Sequence, residues 1–267
     1  MKILITGGNG YLGSNLIPIL DGEITCLDFN KVEGTTFLQG DIRDESLDLS
    51  DFDVIFHLAA VSAPRLVEKD RELAWDVNVN GTMNLCKKLK KGQRFVFLSS
   101  AHVYDKKNKQ VHKELEPPNP CNFYGLTKLV GEEVIRYYAK ENGFDHVIFR
   151  LFNSYSVDQR PGLLIGDVMK KYRENELIEI YNPSAKLDLI HVDDVMNVLS
   201  KSFSIPCDTY NLCSGYAVTV AQVYQDISNF LKIDKPTKIV SDNEDCILGD
   251  NSKLKEIGFD FRKFTLK

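Results

Sequence analysis

The sequence predicts an α/β fold: a doubly wound parallel sheet, followed by a smaller and less regular C-terminal part. Two observations indicate the sheet. Short runs rich in Val, Ile and Phe alternate with segments of helical periodicity, and a dense glycine turn follows the first run. The third observation concerns the region beyond about residue 152, where loops lengthen and prolines recur at 161, 183, 206 and 236. It indicates a change of architecture there.

The expected elements of the first part alternate along the chain. Each strand is a short apolar run, and each helix repeats apolar residues every three or four positions. The last of these helices is followed by Gly143, a residue type typical of helix C-caps. We expect strands at 2–6, 23–29, 36–38, 54–60, 94–99 and 146–149, and helices at 11–20, 75–88 and 128–142.

Composition excludes several classes of protein. The chain has 267 residues, 43% of them hydrophobic, enough to bury a core without disulfide or metal support. A net charge of −5 does not favour a nucleic acid or an anionic membrane as partner. The six cysteines have no paired spacing, and no two histidines have metal-ligand spacing, so we expect reduced thiols and no metal site. Without a signal-like or membrane-spanning apolar run, we expect a soluble cytoplasmic protein.

The glycine turn TGGNGYLG covers residues 6–13. Its spacing fits a shifted form of the GxGxxG fingerprint, which alone is equally compatible with a tight turn. A strand before it and a helix after it favour a phosphate site, because helix N-terminal amides and the helix dipole attract a pyrophosphate. In that interpretation Gly7 allows the turn, Gly10 allows close backbone approach and Gly13 allows helix packing.

Two acidic residues follow the next strands. Asp28 stands at the end of the second strand, about 20 residues beyond the turn, where a carboxylate binds the ribose hydroxyls of a dinucleotide. Its charge would repel the extra phosphate of NADP, so NAD is favoured, although Lys31 moderates this preference. Asp41 and Ile42 follow the third strand and are expected beside the adenine; Asp41 is equally compatible with a helix N-cap.

The segment YGLTK places Tyr124 and Lys128 four residues apart, on one face of a helix. An ammonium group near a phenol favours the phenolate and lowers its pKa, which would make Tyr124 an acid/base near neutral pH. The strand RFVFLSS ends in Ser99 and Ser100. The carboxyl ends of strands in a doubly wound sheet face the ligand crevice, so we expect a serine at the end of this strand to lie beside a cofactor.

These motifs, together with LDFN, GDIRD, HLAA, NVNGTMNL, LSSAHVY, RLFNSY, LIHVDDV and YNLCSG, resemble the extended short-chain dehydrogenase/reductases and, among them, the NAD-dependent epimerase/dehydratases of nucleotide sugars. The resemblance implies a Rossmann-like NAD-binding domain over 1–152, with a segment near 188–204 returning to it, and a mainly substrate-binding domain over 153–267. It implies a triad of Ser100, Tyr124 and Lys128 acting on a sugar hydroxyl while hydride passes to NAD. The implied cofactor positions are Gly7, Gly10, Tyr11, Leu12, Gly13, Asp28, Asp41, Ile42, Leu58, Ala59, Ala60, Asn78, Tyr124, Lys128 and Phe152, and the implied substrate positions are Ser100, His102, Tyr124 and Asn153.

The resemblance separates activities within the family. Sugar 4,6-dehydratases usually carry two acidic residues directly after the catalytic hydroxyl, where this chain has Ala101 and His102. A nucleotide-sugar 4-epimerase is therefore favoured, with a 4-ketoreductase as the alternative. His102 is compatible with an acid/base, with a substrate contact and with a merely exposed side chain. We interpret His57 as a packing residue and His191 as a residue that forms hydrogen bonds between the domains.

One departure concerns the diphosphate site. Relatives commonly have an arginine where this chain has Leu187, and the acidic stretch 242–245 occupies the region of a second basic contact, so only Lys186 or Lys238 could compensate. A dehydrogenase of a small non-nucleotide alcohol therefore remains open, as does a cofactor-dependent binding protein with an idle triad. The family also implies a homodimer formed through the helices around 75–90 and 125–142.

Overall fold

The computed structural model describes residues 1–105, 111–120, 122–159, 161–175 and 177–266. The chain divides into two compact units. One comprises Met1–Tyr104, Pro117–Arg150 and Met196–Tyr210, and the other comprises Asp105–Glu116, Leu151–Val195 and Asn211–Lys267. The segment that returns to the first unit is thus 196–210, compared with the 188–204 expected from sequence.

The main sheet has seven parallel strands in the order β11-β7-β5-β4-β1-β2-β3. Strand β1 lies inside this sheet and is almost entirely buried, since apolar residues fill it from Ile3 to Ile5. The chain builds outward on one side of β1 and then crosses to begin the other side with β4, which makes the junction of these two strands the topological switch point. The strands are β1 (Lys2–Thr6), β2 (Glu23–Asp28), β3 (Thr36–Gln39), β4 (Val54–His57), β5 (Arg94–Ser100), β7 (Asp145–Leu151) and β11 (Thr209–Leu212).

Helices cover this sheet. The longest, α5, begins one residue after Asn122, whose side chain accepts the Gly125 N–H at 2.8 Å, and ends at Gly143 with φ 75°. The expected helix over 75–88 is divided by a π-helical segment, Asp76–Gly81. The helices are α1 (Tyr11–Leu16, continued by a 3-10 turn), α2 (Pro64–Lys69), α3 (Arg71–Trp75), α4 (Thr82–Lys88) and α5 (Phe123–Asn142).

One hydrophobic core joins the sheet to α4 and α5. It buries large side chains from both layers almost completely. Because burial of apolar surface is the dominant favourable term in folding, this core stabilises the unit. Its members include Leu4, Ile55, Leu85, Phe95, Phe97, Ile135 and Ile148.

The second unit contains a small mixed sheet and a two-stranded one. In the first, β10 lies between antiparallel β12 and parallel β14, β14 pairs with β6, and β8 also pairs with β10; in the second, β9 pairs with β13. The apolar faces of α6 and α8 contribute to its core. The elements are β6 (Val111–His112), β8 (Asn153–Tyr155), α6 (Leu164–Glu174), β9 (Ile178–Tyr181), β10 (Lys186–His191), α7 (Val192–Ser200), β12 (Ala217–Thr219), α8 (Val220–Leu231), β13 (Thr237–Ser241), β14 (Cys246–Gly249) and α9 (Ser252–Glu256).

The Rossmann-like fold predicted from sequence is confirmed: a parallel seven-stranded sheet accompanied by a smaller mixed sheet in the C-terminal part. Within the described ranges, no helix combines the length and the apolarity needed to span a bilayer. The cysteines at 26, 86, 207, 213 and 246 carry free thiols, and Cys121 lies outside the described residues.

Candidate active site

The glycine turn lies at the carboxyl end of β1, beside the end of β4. Gly7 has φ +74°, and a Cβ added there would lie 2.7 Å from the backbone of Ala59. A Cβ on Gly13 would lie 2.6 Å from the Cα of Gly8. Only glycine allows both the left-handed backbone and these close approaches. Gly10 precedes α1 and donates its N–H to the Gly7 carbonyl at 3.1 Å, and α1 has no side-chain cap at this end.

The expected cofactor positions after β4 lie against this turn. The Leu58 N–H donates to the carbonyl of Thr6 at 3.1 Å, and the Ala59 N–H donates to the Thr6 hydroxyl at 3.3 Å. The strand expected over 54–60 therefore ends at His57, and Leu58, Ala59 and Ala60 form a half-buried segment beside the glycines. Tyr11 and Leu12, the first residues of α1, are half-buried as well.

The structure brings Asp28 to the same turn. One carboxylate oxygen of Asp28 accepts the Asn9 N–H at 3.0 Å, and the other accepts the Asn30 N–H at 3.2 Å. A half-buried carboxylate at the end of β2, next to a turn without Cβ atoms, fits the ribose and pyrophosphate of a dinucleotide. The glycine turn and the Asp28 carboxylate together thus fit a dinucleotide cofactor.

Two expected cofactor positions, Asp41 and Ile42, follow the third strand, and the structure corrects the N-cap alternative for Asp41. Asp41 caps no helix: a turn follows it, and both its oxygens bind the guanidinium of Arg43, which lowers the pKa of Asp41. Ile42 buries its side chain in the core, so close to Gly81 that a Cβ there would lie 2.5 Å from the Ile42 Cδ1 atom. Ile42 is 5% exposed.

Asn78 uses both ends of its side-chain amide within the protein. Its oxygen accepts the Val61 N–H at 2.8 Å, and its NH₂ group donates to the Val61 carbonyl and to the Thr127 hydroxyl, both at 3.1 Å. Thr127 in turn donates to the carbonyl of Tyr124 at 2.8 Å. Asn78 therefore connects the segment after β4 to the first turn of α5.

His57 makes hydrogen bonds on both sides of its ring, which the interpretation as a packing residue missed. Its Nδ1 lies 2.8 Å from the Thr6 hydroxyl and its Nε2 lies 2.9 Å from the Thr82 hydroxyl. Thr82 donates to the Asn78 carbonyl at 2.6 Å, so the hydroxyl accepts from His57 and Nε2 carries the proton. Burial, with a smaller contribution from Lys128, lowers the pKa of His57 to about 3.

The structure brings Ser100, Tyr124 and Lys128 together on the first unit. Ser100 ends β5, Tyr124 lies in the first turn of α5, and Lys128 follows one turn later. The Ser100 side chain hydrogen-bonds the Tyr124 phenol. The Lys128 ammonium donates to the Leu98 carbonyl at 3.0 Å and lies 4.8 Å from the centre of the Phe97 ring. All three side chains of the expected triad are thus adjacent to β5.

The proton affinities of this group differ from the sequence expectation. Burial raises the pKa of Tyr124 to about 12, and the hydrogen bond from Ser100 opposes the rise. Burial also lowers the pKa of Lys128 to about 8, opposed by the charge of Glu132. The Tyr124 to Lys128 spacing predicted a lowered phenol pKa, whereas the pKa of Tyr124 is raised, because desolvation by burial is the dominant effect on this phenol.

His102 lies beside Tyr124. The two rings meet edge-on with their centres 5.5 Å apart, and the Asn122 amide lies 2.7 Å from the Nδ1 atom of His102. The oxygen of Asn122 caps α5, so its NH₂ group faces the histidine and Nδ1 accepts. Sequence reasoning missed Asn122; its place directly before the YGLTK helix is typical of an N-cap and was the available signal.

Sequence reasoning also missed a buried charged cluster behind the triad. Glu132 and Arg150 form an ion pair with almost no exposure, and Ser99 donates its hydroxyl to Glu132 at 2.6 Å. The available signal was the spacing of α5: Glu132 follows Lys128 by four residues, as Lys128 follows Tyr124.

The remaining expected residues belong to the second unit. Phe152 is buried, and its N–H donates to the Leu212 carbonyl at 3.0 Å. Asn153 opens β8, and its NH₂ group donates to the Asp188 carbonyl at 3.4 Å. Leu187 packs against the core of this unit, and His191 meets the Tyr155 ring edge-on.

Comparisons with known proteins agree with this architecture. The model of the NAD dependent epimerase/dehydratase family matches residues 3–212. A protein of Methanocaldococcus jannaschii, provisionally named UDP-glucose 4-epimerase, is 29% identical over 248 residues, covering 85% of this chain and 81% of that protein. The GDP-6-deoxy-D-talose 4-dehydrogenase of Aggregatibacter actinomycetemcomitans is 29% identical over 280 residues, covering 98% of this chain and 93% of that enzyme.

Solved structures extend the likeness over nearly the whole chain. MoeE5 in complex with UDP-glucuronic acid and NAD matches with a TM-score of 0.88 at 25% identity, covering 99% of this chain and 95% of MoeE5. The UDP-glucose 4-epimerase of Thermotoga maritima matches with a TM-score of 0.90 at 23% identity, covering 99% of this chain and 94% of that one.

The family match includes the glycine turn, Asp28, the end of β5 and the YGLTK helix, and it spans most of the 267 residues. The resemblance inferred from sequence is thereby confirmed. The chain belongs to the NAD-dependent epimerase/dehydratase family, whose members are enzymes acting on nucleotide sugars.

Proposed function

We propose that the protein is an NAD-dependent nucleotide-sugar 4-epimerase. The observation that carries the proposal is the placement of Ser100, Tyr124 and Lys128: all three are buried, Ser100 at the end of β5 and the other two on the first turns of α5. The names of relatives support the reaction, because both UDP-glucose 4-epimerases and a sugar 4-dehydrogenase are among them. MoeE5, a neighbour at 25% identity, binds UDP-glucose and UDP-glucuronic acid with NAD.

The cofactor would be held by the first unit. The turn at Gly7, Gly10 and Gly13 would receive the pyrophosphate, and Asp28 the ribose hydroxyls, with Ala59 and Ala60 beside them. NAD would fit this site better than NADP, because the anionic Asp28 would repel the extra phosphate of NADP. When bound, NAD supplies the chemistry of accepting a hydride from the sugar carbon and returning it to the opposite face.

The protein's own side chains would handle the proton. Ser100 would hydrogen-bond the C4 hydroxyl of the sugar, and Tyr124 would remove its proton. A phenol of pKa about 12 ionises at a cost, so a charged Lys128 beside it would stabilise the phenolate. After rotation of the keto sugar, Tyr124 would return the proton to the same oxygen, so that the enzyme ends each cycle unchanged.

A 4-dehydrogenase or 4-ketoreductase is the second candidate. The specific observation in its favour is the GDP-6-deoxy-D-talose 4-dehydrogenase, which this chain matches over 98% of its length. Such an enzyme would use the same three side chains but stop after one hydride transfer. The core position of Leu187 favours a third outcome, a non-nucleotide alcohol, because this residue offers no positive charge to a diphosphate.

The test is a substrate screen with the purified protein. It is incubated with NAD and, separately, UDP-, dTDP-, GDP- and CDP-hexoses, while C4 stereochemistry is followed by NMR and NADH by absorbance. A 4-epimerase interconverts the two C4 epimers without net NADH, whereas a dehydrogenase forms one NADH for each keto sugar. The Tyr124→Phe variant should lose conversion while still binding NAD.

Failure of every nucleotide sugar, both as a substrate and as a stabiliser in thermal unfolding, would overturn the proposal and favour a small non-nucleotide alcohol. Full activity of Tyr124→Phe would instead remove the proposed acid/base.

A further inference from the structure

A buried ion pair lies directly behind the candidate triad. The side chain of Glu132 is 0% exposed and that of Arg150 is 3% exposed. Arg150 donates from Nε to one oxygen of Glu132 at 3.0 Å and from Nη2 to the other at 2.8 Å. Arg136 adds a third donor, from Nη2 at 2.9 Å. Burial raises the pKa of Glu132, but the hydrogen bonds and charge of Arg150 outweigh it, and the pKa lies below its ordinary value.

Fold stability alone does not explain this pair. Removing two charges from water costs several kcal/mol for each ion, and apolar side chains of similar volume often stabilise a protein as well or better. Its position suggests another role. Glu132 follows Lys128 by one helical turn and Tyr124 by two, so the three side chains share one face of α5.

The pair fixes both ends of the turn that carries Ser100. At one end, Ser99 donates its hydroxyl to Glu132 at 2.6 Å. At the other end, Arg150 donates from Nη1 to the Tyr104 hydroxyl at 2.9 Å and stacks over the Tyr104 ring at 5.0 Å. Between them, Ser100 caps the 3-10 turn 101–103 by accepting the His102 N–H at 3.2 Å. The orientation of Ser100 thus depends on groups bound to the pair.

The charge of Glu132 also acts on Lys128. The groups around Lys128 come from three elements: Tyr124 and Glu132 on α5, His57 on β4, and the Leu98 carbonyl and Phe97 ring on β5. His57 is neutral at physiological pH, since its pKa is about 3, and Tyr124 is neutral with a pKa of about 12. Arg150 on β7 and Arg136 donate hydrogen bonds to Glu132, so their charges act on Lys128 together with that of the carboxylate. Burial favours loss of the Lys128 proton, and the negative charge of the Glu132 carboxylate opposes that loss.

We propose that Glu132 is a positioning residue of this site: with Arg150 it fixes the turn that carries Ser100, and it places a negative charge one helical turn from the Lys128 amine. The inference rests on the proposed function of Ser100, Tyr124 and Lys128. Without the carboxylate, Lys128 would lose its proton at lower pH, and the phenolate of Tyr124 would lose the cation beside it.

The first experiment measures the protonation of Lys128 directly, without substrate or cofactor. Protein labelled with ¹³C at lysine Cε is titrated by NMR, and the Lys128 signal is assigned with a Lys128→Met sample. The midpoint should be near pH 8 in the wild type. It should fall by about one pH unit or more in Glu132→Gln, because a buried charge next to the amine is lost.

The matched control is Glu133→Gln, the neighbouring glutamate, whose side chain is 66% exposed and pairs with Arg136. Its midpoint should equal that of the wild type. If Glu132→Gln does not fold with Arg150 unpaired, Glu132→Gln combined with Arg150→Met leaves no unpaired charge, and its midpoint should also fall. An unchanged Lys128 midpoint in the folded Glu132 variant would overturn the role of its charge.

A second variant isolates the orientation of Ser100. Ser99→Ala removes the hydroxyl that binds Glu132 but leaves every charge in place, so the Lys128 midpoint should not move. On the substrate found by the screen, kcat should fall about tenfold with little change in KM, since the lost contact acts on the reacting geometry. Unchanged kcat would overturn this part. Inactivity of the wild type would instead overturn the proposed function, and the Lys128 titration would still decide the role of the Glu132 charge.

Discussion

Burial affects the proton affinities around Tyr124 more strongly than neighbouring charges do. Burial shifts the pKa of each of Tyr124, Lys128 and His57 in the direction that favours the neutral form, to about 12, 8 and 3. The helical spacing of Tyr124 and Lys128 was sufficient to predict that they share a face. It carried no information about desolvation, because Tyr124 is buried against Val67 and Ala74 and Lys128 lies over the Phe97 ring, partners that are distant in sequence.

His57 should make the stability of the protein depend on pH in the acid range. Its pKa is about 3 in the folded state, against an ordinary 6.5, so the unfolded chain binds the proton first as the pH falls. The stabilisation is complete above about pH 6.5 and is lost progressively toward pH 3. We expect a loss of about 3 kcal/mol from this group between pH 7 and pH 4.

The measurement compares the wild type with His57→Gln, since glutamine can accept from Thr6 and donate to Thr82 but does not titrate. Urea unfolding at several pH values should show a smaller loss of unfolding free energy in the variant. His146→Gln, at a half-buried histidine, is the control and should have a weaker effect. Parallel pH profiles for the wild type and His57→Gln would contradict the prediction.

At the scale of elements, sequence periodicity predicted six of the strands and three of the helices but not all of their ends, and it missed α2 and β11. Helix α5 begins at Phe123, not Lys128, because Asn122 caps it with a side-chain hydrogen bond. The apolar pattern over 75–88 predicted one helix, whereas the structure inserts a π-helical segment there. Asn78 in that segment bonds to Val61 and Thr127, partners distant in sequence that no local pattern reveals.

The glycine turn offers a matched pair of substitutions. Gly7 and Gly34 have nearly equal φ, +74° and +75°, but a Cβ on Gly7 would lie 2.7 Å from the Ala59 backbone while Gly34 has nothing within 4 Å. Gly34→Ala should cost about 1 kcal/mol through backbone strain alone. Gly7→Ala should cost about 2 kcal/mol more, because backbone must shift, and should abolish NAD binding.

Urea unfolding and titration with NAD measure these two effects. Gly34→Ala is expected to bind NAD as the wild type does. Equal stability losses in both variants would show that the contact with Ala59 does not constrain the turn.

For the whole molecule, the sequence was sufficient to predict the parallel sheet, the glycine turn and the three side chains at the end of β5. The sequence was less informative about the second unit, whose short strands lack a clear period and whose first piece, 105–116, comes from the middle of the chain. The ion pair of Glu132 and Arg150 was also missed. Its members stand 18 residues apart on different elements, α5 and β7, so no local pattern of residues brings them together.

The assembly of the molecule remains a prediction. We expect a homodimer through the helices around 75–90 and 125–142, where Trp75, Leu126 and Tyr137 expose 36, 37 and 61% of their surface. Light scattering should give twice the chain mass of 30.3 kDa. Tyr137→Glu should shift the mass toward the monomer, because a charge would be buried in the interface. Phe203→Glu, at an exposed aromatic outside these helices, should leave the mass unchanged.

The strand order has a consequence for biosynthesis. The seventh strand, β11, ends at Leu212, and the whole segment from Leu151 to Val195 is translated before it. The sheet therefore cannot be completed on the ribosome until the chain has been made as far as Leu212. Until β11 has been made, β7 has an unpaired edge, and unpaired strand edges favour aggregation.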